Sequence, residues 1–241
     1  MKNKRYYVNN EIFEDSDVTI EGDEFVHLSS VMRSRVGDTV TLFCGDSFDY
    51  NGTIIEISKK YAVVHVDEKV QGVGFPEKNV TLFQALVKGD KLYIVVQKCT
   101  ELGVHEIVHF ESAFSDVKVG NKNIEKLEKV VISACKQCGS SVITKTNREL
   151  KFNQMLDEIK NHDAVLFAYE KQGDNHISNV LKKIQNLKNV AVIVGAEGGF
   201  SEDEAKQIVA AGAIPVSLGD RILRAETAGI VLPALVLLGV E

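Results

Sequence analysis

The sequence has 241 residues, of which 44% are hydrophobic, so the chain can bury a sizeable core and is globular, not disordered. No secretory leader is recognisable, and the longest apolar run, AGIVLPALVLLGV, is too short to span a bilayer, so we expect a cytoplasmic protein that does not bind membranes. The net charge of -6 disfavours a uniformly basic nucleic-acid surface, but cations cluster locally and leave room for a basic face.

Residues 5–70 are dominated by short segments in which apolar and polar residues alternate. This period of two predicts a small antiparallel barrel or curled sheet, with one short helical piece near DEFVHLSSVM. The stretch QGVGFPEKN has two glycines, one proline and no periodic pattern, and is the natural linker. The alternating segments are DTVTLFCG, NGTIIEIS and KYAVVHVDEKV.

From residue 80 onward, apolar strand patterns alternate with helical patterns. The first helix keeps its apolar residues on one face and ends at Gly103, and the second begins at Asn123, a plausible N-cap, and ends at Gly139. Later strands are separated by helices through ISNVLKKIQNL, from Ser201 and from about Ala225. Strands without alternation, separated by helices, indicate an α/β domain whose parallel sheet is covered on both faces. The strand segments are NVTLFQALV, EIVHFES, DAVLFAYE, NVAVIVG and AIPVSLG.

Four cysteines are present, and Cys135 and Cys138 form a C-x-x-C spacing inside the second helical pattern. The sequence has no second ligand pair and no histidine near them. We therefore expect reduced core thiols and no metal.

Three loops follow strands of the predicted sheet: AYEKQG, GAEGGFS and LGDRILRAE. In an open α/β sheet, ligands bind beyond the carboxyl ends of the strands. We therefore expect these loops to meet at one crevice.

The loop GAEGGFS does not match the common phosphate-binding motifs. A dinucleotide fingerprint would need glycines where Glu197 and Phe200 stand, and the G-K-[ST] of a P-loop is absent. Because Glu197 adds negative charge, the ligand facing it should be neutral or cationic, such as a sulfonium or an uncharged purine, read by main-chain groups. The alternative is a tight turn into a helix, with Ser201 and Glu204 as a capping box.

The segment LGDRILRAETAG places two arginines three residues apart, directly before Glu226 and Thr227. It could be an ordinary helix start in which Arg224 pairs with Glu226. The helix that follows is apolar nearly all round, so it must be buried on several sides or lie in a subunit interface. A homodimer is therefore expected.

Four segments together resemble the RsmE-type 16S ribosomal RNA methyltransferases, members of the SPOUT superfamily that methylate N3 of a uridine. The resemblance runs in order over almost the whole chain, and the last segment is the most specific. The segments are HLSSVMRSRVGDTVTLFCG, QALVKGDKLYIVVQKCTELGV with SACKQCG, IVGAEGGFSEDEA, and LGDRILRAETA.

The resemblance implies two domains and one cofactor. Residues 1–72 would form a small PUA-like β-barrel that binds RNA, and residues 73–241 a SPOUT methyltransferase domain with a deep trefoil knot over about 163–241. The protein would act as a homodimer on 16S ribosomal RNA of the small ribosomal subunit, with S-adenosylmethionine as methyl donor. This donor is a sulfonium, which a loop carrying a carboxylate can accept.

The resemblance also assigns residues. Arg224 and Glu226 would be catalytic: Arg224 stabilises the developing uridine anion or orients the base, and Glu226 positions Arg224. Thr227 completes that motif, and the glycines bring main chain to the cofactor. The cofactor-binding residues would be Tyr169, Glu170, Gly195, Glu197, Gly198, Gly199, Leu218, Gly219, Ile222, Leu223 and Thr227.

Two departures from the family pattern stand out. Ala196 replaces the usual proline, and Lys136 and Ser140 stand where glutamate and arginine are common. Arg5, Arg33 and Lys98 are the candidates for contacts to RNA phosphates, against the alternative of ordinary surface charges.

Three other functions stay open at this point. One is a SPOUT-like RNA methyltransferase with another target, and another is a non-catalytic RNA-binding protein, which would not need an occupied pocket at the glycine loop. The third is a small-molecule enzyme with a different adenosine cofactor, which would need no basic face.

Overall fold

A computed structural model describes residues 4–120, 124–169 and 175–239, except for the side chains of residues 124 and 125. Asn123, the predicted N-cap, lies outside the described residues. The chain divides into two compact units, Met1–Gly74 with Ile132–Ile143, and Phe75–Val131 with Thr144–Glu241. The sequence assigned 132–143 to the second domain, whereas the structure groups this segment with the first.

Within the first unit, residues 4–74 form one sheet and one short helical segment. The predicted helical piece is present as α1 (Gly22–Val26), which continues as one π-helical turn, His27–Val31. The strands are β1 (Arg5–Tyr7), β2 (Asp17–Glu21), β3 (Thr39–Phe43), β4 (Phe48–Ile57) and β5 (Tyr61–Gln71).

The five strands are ordered β1-β3-β4-β5-β2. The three predicted strands are confirmed as β3, β4 and β5, and their inward side chains, such as Leu42, Ile54 and Val64, are fully buried. Neighbours are antiparallel, as predicted, except that β1 runs parallel to β3. Three residues of β1 are too few to show a period, so this strand pair was not predictable.

Segment 132–143 is tied to the sheet of the first unit through Ser141. The Ser141 hydroxyl donates to Asp49 and accepts from the amide of Val73 at 3.1 Å and from Arg5 Nη2 at 2.9 Å. Ser141 is fully buried, so these hydrogen bonds satisfy a polar group that would be costly to bury alone.

The second unit is built on six parallel strands with helices between them. Its strands are β6 (Asn79–Ala85), β7 (Glu106–Glu111), β8 (Lys145–Lys151), β9 (Ala164–Ala168), β10 (Asn189–Val194) and β11 (Ile214–Val216). Its helices are α2 (Lys91–Leu102), α3 (Ile124–Cys138, which continues into the first unit), α4 (Phe152–Glu158), α5 (Ile177–Ile184), α6 (Glu202–Ala210) and α7 (Ala225–Leu238); a 3-10 turn, Ile159–Asn161, follows α4.

The parallel α/β sheet predicted from the apolar strands is confirmed, with strand order β11-β9-β10-β6-β7-β8. The central strands β6 and β10 are buried along nearly their whole length, which explains why they show no alternation. Strand β8 and helix α4 were not predicted. The sequence of β8, KTNRELK, is polar because this strand lies at the sheet edge and is partly exposed.

Helix α7 packs against α2, β6 and β10, so the chain returns from the edge strand β11 to the centre of the sheet. Pro233 has no N–H to donate to the carbonyl of Gly229 one turn earlier. The thiol of Cys99 in α2 donates to that carbonyl instead, at 3.3 Å. The predicted apolar face of α2 is buried at Leu92, Val95 and Cys99. In the part of the chain that the structure describes, every helix is too short or too polar to cross a membrane.

Candidate functional site

The loops that follow β9, β10 and β11 line one cavity in the second unit, as predicted. Its volume of about 430 Å³ lies within the range typical of sites for small molecules. The cavity wall is formed by Lys91, 168–169, 194–200, 216–226 and Ala228.

The glycine loop forms a tight turn, in which the Gly199 amide donates to the Ala196 carbonyl at 3.0 Å and Gly199 has a φ of +68°. A Cβ atom on Gly195 would lie 2.9 Å from Cε2 of Phe200, and one on Gly198 would lie 2.8 Å from Cβ of Phe114. Glycines are therefore required at both positions because the protein's own aromatic residues fill the space. The turn is held in one shape beside the cavity.

Glu197 does not present an uncompensated charge to the cavity, contrary to the prediction. Its Oε1 accepts from Lys91 Nζ at 2.8 Å and from the Lys88 amide at 3.2 Å. Burial raises the pKa of the Glu197 carboxyl, but these hydrogen bonds and one from its own amide outweigh burial, so the pKa lies below its usual value. The pair of Glu197 and Lys91 is close to neutral at pH 7.

The predicted capping box is confirmed at the start of α6. The Ser201 hydroxyl accepts from the Glu204 amide at 3.2 Å, and Glu204 Oε2 accepts from the Ser201 amide at 3.0 Å. The other carboxylate oxygen, Oε1, accepts from the Ala113 amide at 2.7 Å. Glu204 thereby joins the loop after β7 to the end of the glycine loop.

Gln84 in β6 holds the glycine loop by a buried hydrogen bond and was not predicted from the sequence. This fully buried side chain in β6 donates from Nε2 to the carbonyls of Gly195 and Ala85, each at 3.2 Å. A Cβ atom on Gly229 would collide with Gln84 Oε1, so a glycine in α7 makes room for it. The available signals were a glutamine within an otherwise apolar strand and a glycine within an apolar helix.

The third loop brings Arg224 and Glu226 to the cavity but does not pair them. Arg224 lies at the N-cap of α7 and is exposed, and its guanidinium forms no ion pair with any described residue. Glu226 is half-buried, and its Oε2 is buried without a hydrogen-bond partner among the described residues. The predicted positioning of Arg224 by Glu226 is therefore wrong in this structure, and both groups are available to a ligand.

The other predicted cofactor residues divide into three groups. Thr227 does not line the cavity, whereas Ala228, the next residue in the helix, does. Glu170 lies outside the described residues. The residues that line the cavity as predicted are Tyr169, Gly195, Glu197, Gly198, Gly199, Leu218, Gly219, Ile222 and Leu223.

Arg5 is not available to RNA phosphates in this structure, contrary to the prediction. Its side chain is only 4% exposed, and its two Nη atoms donate to Asp49 at 2.6 and 2.7 Å and to Ser140 O and Ser141 Oγ at 2.9 Å each. The guanidinium also lies 4.5 Å from the ring centre of Phe43. Arg5 stabilises the first unit instead.

The other two RNA candidates remain accessible. Arg33 is exposed, has a φ of +52° and forms no ion pair with described residues. Lys98 is 42% exposed and pairs with Glu101 at 2.8 Å. Of the family departures, Lys136 pairs with Glu24 at 2.8 Å, and Ser140 supplies the carbonyl that Arg5 binds.

The C-x-x-C pair is split between two environments. Cys135 is buried and donates to the Val142 carbonyl, whereas Cys138 is exposed, so the expectation of a second core thiol was wrong. In the described residues, no three metal-ligating side chains come together.

Comparisons with known proteins match both units. Residues 75–237 match the RNA methyltransferase domain family, and residues 20–67 match the RNA methyltransferase PUA domain. The first match covers more than half of the chain. The chain therefore has an RNA methyltransferase domain and a PUA-like N-terminal domain.

Relatives over nearly the full length specify the family further. The chain is 31% identical to Ribosomal RNA small subunit methyltransferase E of Rickettsia conorii, over 95% of this chain and 93% of the relative, and 30% identical to that of Bacillus subtilis, over 93% and 92%. The chain belongs to the family of Ribosomal RNA small subunit methyltransferase E.

Two solved structures share this fold. A methyltransferase of Legionella pneumophila in complex with bound SAM has a TM-score of 0.90 at 27% identity, covering 98% of this chain and 97% of that one. Ribosomal RNA small subunit methyltransferase E of Neisseria gonorrhoeae, bound to S-adenosyl methionine, has a TM-score of 0.87 at 27% identity, covering 96% and 95%.

Proposed function

We propose that this protein transfers a methyl group from S-adenosylmethionine to N3 of a uridine in 16S ribosomal RNA of the small subunit. The observation that carries the proposal is the cavity closed by the three loops after β9, β10 and β11, in a chain of this family. Both similar structures hold S-adenosylmethionine, and the one from Neisseria gonorrhoeae is a Ribosomal RNA small subunit methyltransferase E.

The residues present fit this cofactor. The cavity offers main-chain groups of the glycine turn, apolar walls from Leu218 and Leu223, and a carboxylate, Glu226, with one buried oxygen that has no partner among the described residues. A buried acceptor without a donor is costly, so it favours a ligand that brings a donor or a positive charge. Tyr169, Gly219 and Ile222 would complete the binding site.

When bound, the cofactor supplies an electrophilic methyl group on a sulfonium. The chain must then deal with the uridine, whose N3 carries a proton and whose lone pair is delocalised over two carbonyl groups. Loss of that proton places negative charge on O2 and O4. Arg224 is an exposed cation on the cavity wall with no ion pair among the described residues, and it would stabilise this charge.

We propose that Glu226 acts on the ligand directly and not through Arg224, because the two side chains form no ion pair. It provides a hydrogen-bond acceptor at the cavity wall, in the first turn of α7. Since N3 is on the pairing edge of the base, the target uridine must be unpaired when it reaches this wall.

The first unit would bind RNA through exposed cations, of which Arg33 is the strongest candidate. It is exposed and free of ion pairs within the described chain, so contact with a phosphate would break no existing bond. In the second unit, Lys98 could exchange Glu101 for a phosphate, because that pair is solvent-exposed and therefore weak.

Two further features belong to this proposal. The second unit would be a SPOUT domain with a trefoil knot over about 163–241, which is consistent with the return of α7 from the sheet edge to α2 and β6. The chain would form a homodimer through α7, whose half-exposed residues beyond Thr227 are apolar: Ile230, Val231, Ala234, Leu235 and Leu237. An experimental chain trace tests the knot, and sedimentation equilibrium tests the dimer.

The function is tested by mass spectrometry of small-subunit RNA from a strain lacking this protein. We expect one lost methyl group on a uridine base, restored by adding the purified protein and S-adenosylmethionine. Calorimetry with S-adenosylmethionine is the second measurement. Absence of cofactor binding, with RNA binding retained, would favour a non-catalytic RNA-binding protein instead.

A further inference from the structure

A fourth loop, residues 112–120, follows β7 at the same edge of the sheet and reaches the glycine turn. Phe114 Cβ and Cγ lie 2.8 and 3.3 Å from the point where a Cβ atom on Gly198 would be. Gly198 itself lines the cavity, so Phe114 packs against the backbone of the cavity wall. The side chain is nevertheless 49% exposed. An aromatic ring therefore lies half in solvent beside the cavity.

The loop that carries Phe114 is held on both sides of it. The Ala113 amide donates to Glu204 at 2.7 Å, and the Ser112 amide donates to the Ser115 hydroxyl at 3.1 Å. Asp116 pairs with Lys88 at 2.8 Å. A loop held in place before a ligand arrives loses little conformational entropy on binding.

Exposure alone does not make Phe114 a site, because single exposed apolar residues are common on protein surfaces. Val209 in α6 is 46% exposed and carries no such implication. What distinguishes Phe114 is its contact with Gly198. Packing on the turn alone would be satisfied by an aliphatic residue, whereas a half-exposed ring also presents an aromatic surface to solvent.

We propose that Phe114 is a stacking platform for a base of the substrate RNA, next to the methyl-transfer cavity. The inference rests on the proposed function and names an additional contact for its substrate. Single-stranded RNA is read by stacking of unpaired bases on aromatic side chains. A target whose N3 is accessible has lost its pairing partner, so bases in its immediate neighbourhood are available for such stacking.

The experiment compares Phe114→Leu, Phe114→Tyr and the control Val209→Ala, with small-subunit RNA from a strain lacking this protein. Leucine keeps apolar packing on Gly198 but removes the ring, whereas tyrosine keeps the ring. RNA binding is measured directly by filter binding over a range of salt concentrations, cofactor binding by calorimetry and folding by thermal unfolding.

We expect Phe114→Leu to weaken RNA binding on the order of tenfold, the loss typical of one stacked base. Phe114→Tyr and Val209→Ala should stay within about twofold of the wild type. Cofactor affinity should be unchanged in all three variants. The dependence of log affinity on log salt should keep its slope in Phe114→Leu, because stacking releases no counterions.

Wild-type RNA affinity in Phe114→Leu would overturn the proposal, as would a tyrosine variant as weak as the leucine variant. An equal loss of cofactor affinity in Phe114→Leu would show that the ring only supports the turn, and would also overturn it. Because RNA binding is measured without turnover, the inference is tested even if no methyl transfer occurs. Missing cofactor binding in the wild type would count against the proposed function alone.

Discussion

Two loops line the same cavity but differ in what holds them. The glycine turn, residues 195–199, is fixed by contacts within the protein: Phe200, Phe114, Gln84 and Lys91 all touch or bond to it. The loop of residues 218–226 carries groups without partners in the described chain. Among the residues that the structure describes, none pairs with Arg224 and none donates to Glu226 Oε2, and Ile222 is 83% exposed.

This difference indicates that the glycine turn determines the shape of the cavity, whereas the loop of residues 218–226 provides the groups that can act on a ligand. A glycine-rich sequence suggests a direct cradle for a ligand, yet Gly195 and Gly198 are required because Phe200 and Phe114 of the protein itself fill the space beside them. The unsatisfied groups are on the other loop, and unsatisfied buried or charged groups are what a ligand can stabilise. We therefore expect changes in the second loop to affect methyl transfer, and changes at the glycines of the turn or at Gln84 to affect stability or cofactor affinity.

The largest effect is expected from Arg224→Ala. If Arg224 stabilises the uridine anion, its loss should lower kcat on the order of 100- to 1000-fold, while cofactor affinity changes by less than about threefold. Single-turnover methylation of small-subunit RNA and calorimetry measure the two quantities. Arg221→Ala is the matched control, because Arg221 lies in the same loop, lines the same cavity and is also exposed. Wild-type kcat in Arg224→Ala would contradict the idea that the loop of residues 218–226 carries the groups that act in methyl transfer.

The next effect concerns the turn itself. Gly195→Ala should destabilise the protein by about 1–3 kcal/mol through overpacking, because the new methyl group would lie 2.9 Å from Phe200. Thermal unfolding measures this loss. In a double-mutant cycle, Phe200→Leu should make Gly195→Ala less costly than it is alone, since the clash is with the ring. If the two changes in the free energy of unfolding were strictly additive, the cost of Gly195→Ala would not come from a clash with the Phe200 ring.

Gln84→Met tests the hydrogen bond between Gln84 and the glycine turn. Methionine fills a similar volume but cannot donate to the Gly195 carbonyl, which would then lack this buried donor. We expect cofactor affinity to fall by roughly tenfold, the effect of one buried group left unsatisfied, with RNA binding unchanged. Calorimetry and filter binding distinguish the two. An equal loss of RNA affinity would indicate that the substitution disturbs the whole unit.

The contrast between the two loops also explains what the sequence could predict. Apolar strands interrupted by helices were sufficient for the parallel sheet, and the sheet in turn placed three loops at one cavity. Partners distant in sequence were not predictable: Glu197 and Lys91 are 106 positions apart, and Glu204 and Ala113 are 91 apart. For the same reason Arg5 was misassigned: its charge is visible in the sequence, but its pairing with Asp49, 44 positions away, is not.

The smallest effect is expected from the ion pair between Glu197 and Lys91, whose side chains are 30% and 37% exposed. Solvent screens such a pair, so its coupling energy should be about 0.2–1 kcal/mol at pH 7. The pKa of Glu197 is lowered in the folded protein, so this stabilisation is complete above the unfolded value of about 4.3 and is lost as the pH falls through the lower folded value. A double-mutant cycle with Glu197→Gln and Lys91→Met, measured by urea unfolding between pH 7 and pH 3, should give a coupling energy that decreases as the pH falls. A coupling energy that does not decrease would mean that the carboxylate charge does not hold the turn, and that Lys91 contributes only packing to this side of the cavity.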